Sequence, residues 1–112
     1  MALMAVAFPI ASGKTAEWRK FVGELSGARH AEYVASRKSV GVRERAFLQP
    51  TPMGDMVIVT LEGENPAESF GRLMSLTDPF TLWFLAQTKE VHGIDLTKAA
   101  GPMPELVVDS AG

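Results

Sequence analysis

The order of its apolar segments constrains this chain more than any other feature of its sequence. Residues 3–9 form a short apolar run ending at Pro9, which predicts a first strand. The loop Ala11-Ser12-Gly13 follows, and Ser12 or Thr15 is placed to cap a helix. Trp18, Phe21, Val22 and Leu25 then keep the i, i+3, i+4, i+7 spacing of one buried helical face. Ser26-Gly27 breaks or kinks it. A second helical piece over 28–38 turns Ala31, Val34 and Ala35 inward and leaves Arg29, Glu32, Arg37 and Lys38 to water. Gly41 is its stop signal.

Residues 42–49 and 56–62 read as strands joined by the loop Pro50 to Asp55. Its prolines and glycine forbid a continuous strand and predict a hairpin. Asn65-Pro66-Ala67-Glu68 is a helix start with cap, first-turn proline and capping-box glutamate, and Phe70, Leu73 and Met74 line the inner face. Asp78-Pro79 starts another helix, with an apolar stripe of Phe80, Trp83, Phe84 and Val91 ending at His92-Gly93. A loop with Pro102 and Pro104 precedes a predicted last strand, Glu105 to Asp109. The expected fold is therefore α+β: one domain over 1–112, ordered βαββαβ, with a four-stranded antiparallel sheet and helices on one face.

The predicted strands do not alternate apolar and polar residues as a sheet with one wet face should. Met4, Val6 and Phe8 oppose Leu3, Ala5 and Ala7 across the first strand, and Met56, Ile58 and Thr60 oppose Val57, Val59 and Leu61. Helices on one side leave the other face needing cover. A second copy of the sheet, hence a homodimer, is the simplest cover; a helix over 79–91 folded across that face is the alternative. Covering about 600 Å² per subunit is worth on the order of 15 kcal/mol before association costs.

This pattern resembles the dimeric α+β barrel superfamily, a ferredoxin-like group that includes antibiotic-biosynthesis monooxygenases and muconolactone isomerases. The resemblance rests on the element order and on the Gly41-to-Glu62 hairpin with its Thr51-Pro52-Met53-Gly54-Asp55 turn. The segment from Asp78-Pro79-Phe80 through Trp83-Phe84 to His92-Gly93 resembles small bacterial members near the monooxygenase-like group, whose function is unknown. The resemblance implies an apolar pocket, sheets paired between subunits, and cofactor-free oxygenation or isomerisation. It transfers no catalytic residue.

A net charge of −2 lacks the basic surface of a nucleic-acid binder. The absence of cysteine excludes disulfides, thiolate catalysis and cysteine-based metal sites, and fits a cytoplasmic protein. Met1 to Ala11 lacks the basic start of a signal peptide, and no apolar run is long enough to cross a membrane.

The candidate chemistry centres on Arg43-Glu44-Arg45, where alternation sends Glu44 to one face and both arginines to the other. If Glu44 faces a cavity, its carboxyl is a proton acceptor or donor. If the arginines do, the cavity suits an anion. A cross-strand ion pair near the sheet edge is the structural alternative. His30 is a second catalytic candidate. Tyr33, Phe80, Trp83 and His92, with Arg43 and Arg45, are candidate ligand contacts. For the aromatics the structural alternative is plain core, and for His92 a cationic cap on its helix. Two histidines without nearby carboxylates do not make a metal site, and no cofactor is implied. Ser12-Gly13-Lys14-Thr15 ends like a phosphate-binding loop, but Phe8 stands where the first glycine belongs. The functional expectation is binding of, or action on, a small apolar or anionic molecule between sheet and helices. The alternative is a non-catalytic self-associating or ligand-sensing module.

Overall fold

The computed structural model describes residues 2–98 and 103–111. Strand β1 (Ala2–Pro9) is followed by helices α1 (Thr15–Ser26) and α2 (His30–Ser39), then β2 (Val42–Thr51) and β3 (Gly54–Gly63). Helices α3 (Pro66–Ser75) and α4 (Pro79–His92) and a short 3-10 turn at Leu96–Lys98 complete the order. β3 is the central strand, antiparallel to β1 on one side and to β2 on the other. β1 and β2 are therefore parallel to each other with a strand between them, the split arrangement that the α1–α2 crossover requires.

The helix starts follow their local chemistry. Asn65 accepts from the Glu68 amide at 3.3 Å and Asp78 from the Thr81 amide at 3.1 Å, each with proline in the first turn. α1 departs from expectation. Its cap position is Lys14, without a side-chain cap, and the Thr15 hydroxyl instead donates to Asp55 across the hairpin at 2.7 Å. Lys14 is taken up by Glu17 and Glu90, at 3.3 and 2.7 Å. The hairpin turn is tighter than expected, with both strands running to Thr51 and Gly54. Gly54 makes it possible with φ near 124°, a region that side chains disfavour.

Inward-facing strand residues meet the helices in two apolar clusters. Trp18, Phe21, Leu25, Val57, Phe80 and Val91 build most of one. Met4, Val40, Val42, Leu61 and Leu73 build the other. Val59, at the middle of the central strand, packs against both.

Two expectations are corrected. The sheet has three strands among the described residues, not four. Leu106, Val107 and Val108 are 73, 80 and 79% exposed and join no ladder, although Glu105 to Asp109 has strand composition. Strand preference is realised only against a partner strand, and this segment pairs with none among the described residues. Pro102 lies outside the described residues. The second correction concerns α2. Ala31 and Ala35 are exposed, whereas Arg37, expected in water, is 6% exposed.

The opposite face of the sheet carries no helix among the described residues. Leu3 is 58% and Phe47 54% exposed there, beside exposed Ala5, Ala7, Arg43 and Arg45. No helix among the described residues is long and apolar enough to cross a membrane.

Candidate active site in the cavity between sheet and helices

A cavity of about 300 Å³ lies between the two apolar clusters, under the inner face of the sheet. Val6, Val57, Val59 and Leu61 form its floor, and Trp18, Phe21, Leu73 and Phe84 contribute walls. Ser26, His30 and Ala46 line it and are also exposed, so the opening lies on their side.

One wall is polar. His30, Tyr33 and Arg37 stand three and four residues apart on α2, the spacing that aligns side chains on one helical face. Glu44 faces them from β2, opposite Leu61 in the ladder. The Tyr33 hydroxyl donates to Glu44 Oε2 at 2.5 Å. Arg37 donates through Nε to Glu44 Oε1 at 3.2 Å and through Nη2 to Oε2 at 3.4 Å, while Nη1 donates to Ser36 Oγ at 2.9 Å. The guanidinium lies over the rings of Tyr33 and Phe84, 4.9 and 4.4 Å from their centroids. Burial, reinforced by the Glu44 charge and hydrogen bond, pushes the Tyr33 phenol far above its ordinary pKa. Tyr33 therefore stays protonated and donates to the carboxylate.

Alternation thus resolves the charged triplet in favour of Glu44. Arg43 and Arg45 sit on the outer face, away from the cavity, and Arg45 pairs in solvent with Glu62 at 3.2 Å. The guanidinium that does reach the cavity is Arg37, which belongs to α2. Its signal was its register with Tyr33 and His30, masked by the presumption that an arginine on a short helix meets water. Phe80 is buried in the first apolar cluster, and Trp83 packs on that cluster with the Arg29 guanidinium 4.2 Å over its ring; neither lines the cavity.

Both histidines line the cavity. His30 Nδ1 donates to the Leu25 carbonyl at 3.0 Å. His92 Nδ1 donates to the Pro9 carbonyl at 2.8 Å, and its ring lies 5.5 Å from that of Phe8. Burial pushes the His92 imidazole below its ordinary pKa, with the Pro9 bond opposing. Burial thus works against the cationic helix cap expected of His92. The ring ties the end of α4 to the end of β1.

The cavity pairs its one carboxylate with one guanidinium, so the wall is polar without net charge. Such a wall suits a neutral molecule better than an anion. Among the described residues no group of three or more histidine, aspartate or glutamate side chains is arranged to hold a metal. No family model, curated protein or solved structure matches this chain.

Proposed function

We propose that this chain binds a small, neutral, mostly apolar molecule in the cavity between its sheet and its helices. The observation that carries the reading is an open apolar cavity of about 300 Å³ whose single charged pair, Arg37–Glu44, is internally matched. That volume stands at the small end of ligand sites, and a few polar groups on an apolar lining are their usual composition. Glu44 is the one carboxylate among the described lining residues, and a reaction here without a cofactor would be a proton transfer drawing on Glu44 or His30. This is the step that an isomerase-like or cofactor-free oxygenase-like member of the dimeric α+β barrel group would need.

Titration with naphthalene tests the reading. Saturable binding of one molecule per chain, with quenching of Trp18 in the cavity wall, is the expected result. A filled interior would give no saturable change in fluorescence or heat.

The assembly belongs to the same proposal. A second copy covers the outer face, where Leu3 and Phe47 stand exposed beside Ala5, Ala7, Arg43 and Arg45. Sedimentation at micromolar concentration is expected to give twice the chain mass, and Phe47→Glu the chain mass. A wild-type monomer rules the paired sheets out.

A further inference from the structure

The cavity has a second polar pole, which the Glu44 wall does not use. His92 is 7% exposed and lines the cavity from the end of α4. The Pro9 carbonyl can only accept, so Nδ1 carries a proton, and in the neutral ring Nε2 is then the bare, accepting nitrogen. Nε2 has no hydrogen-bond partner among the described residues. Yet none of their buried side-chain nitrogens or oxygens is both sealed off and unpaired. Nε2 therefore keeps access to open space, and the ring that carries it lines the cavity.

The two poles lie apart. His92 stacks near Phe8, whose row across the sheet is Phe8, Val57 and Leu48. Glu44 belongs to the row of Met4, Leu61 and Glu44. Four residues of β2 separate the rows, roughly 13 Å along the strand. Between them the floor is Val57, Val59 and Leu61.

We infer that His92 Nε2 is a ligand-anchoring acceptor, and that the molecule taken by the cavity carries a hydroxyl or N–H donor on the apolar end that enters beside Phe8. This rests on the cavity being a binding site, and it adds the chemical class of the ligand: a neutral apolar alcohol, phenol or amide. Thr88, also in the lining, donates its hydroxyl hydrogen to the Leu85 carbonyl at 2.9 Å and can still accept, so His92→Phe is what separates the two acceptors. An imidazole that holds its proton on a backbone carbonyl presents a fixed acceptor to the ligand, with no tautomer change needed on binding.

Two probes of nearly equal shape separate this inference from the one beneath it. 1-Naphthol has a donor and is neutral at neutral pH; 1-methoxynaphthalene has none. The wild-type chain is expected to bind 1-naphthol about tenfold more tightly, the worth of one buried hydrogen bond. His92→Phe keeps a ring in place and is expected to bind the two probes equally. On the wild-type chain, the nitrogen-15 resonance of His92 Nε2 is expected to move with 1-naphthol and to stay with 1-methoxynaphthalene, which decides the matter should His92→Phe not fold. Equal binding of the probes by the wild type, discrimination that survives His92→Phe, or a still Nε2 resonance overturns the anchoring role and leaves the cavity standing. Failure of both probes and of naphthalene to bind removes the cavity as a site, and the anchor with it.

Discussion

Arg37→Met destabilises the fold by about 3–5 kcal/mol, the cost of removing one partner of a buried ion pair. Both side chains are nearly sealed, 7% exposed for Arg37 and 11% for Glu44, so water cannot replace the lost partner. The substitution removes two donors from Glu44 and leaves Tyr33 as its only remaining one. It also strips the cation from above the Tyr33 and Phe84 rings. Against a typical domain stability of about 5–15 kcal/mol, the loss is a large share of the whole. Adding Glu44→Leu recovers most of it, since an apolar pair of similar volume replaces a buried ion pair at little cost. Urea midpoints of the two single variants and the double variant measure this coupling. A shift of under about 1 kcal/mol for Arg37→Met would mean that the pair opens to solvent.

Val59→Phe abolishes naphthalene binding while leaving the chain folded. Val59 sits midway along the central strand, touches both apolar clusters and forms part of the cavity floor. In a filled core the larger ring would cost about 1–3 kcal/mol of strain. Here the ring has a void to enter, so the fold keeps its stability and the ligand has to displace the ring. A penalty of about 3 kcal/mol corresponds to roughly a hundredfold weaker binding. Trp18 quenching and urea unfolding on the same variant check both halves of the claim. Unaltered binding with unaltered stability would place the ligand elsewhere.

The helices and the hairpin were legible because their signals are local. The caps at Asn65 and Asp78 act within four residues, and Trp18, Phe21 and Leu25 repeat at the helical period. Strand alternation put Glu44 on one face and Arg43 and Arg45 on the other, as observed, but parity alone left open which of the two faces lines the cavity. What was not legible depends on partners distant in the chain. Leu106, Val107 and Val108 have the composition of a strand but pair with neither edge of the sheet, and composition cannot report that. Arg37 was assigned to water from its charge, because only its contact with Glu44 makes burial tolerable. The His92 ring was assigned a positive charge from its place at a helix end. The carbonyl that orients it, Pro9, is 83 residues away.

Helix α2 supplies three of the polar residues of the cavity, yet Arg37 is its only buried residue. Its hold on the rest of the molecule thus passes through the same wall that a guest would touch. A molecule resting against Tyr33 and Arg37 therefore acts as mortar for the helix. If a guest occupies the cavity, its binding and the local folding of residues 30–39 would be linked in one equilibrium.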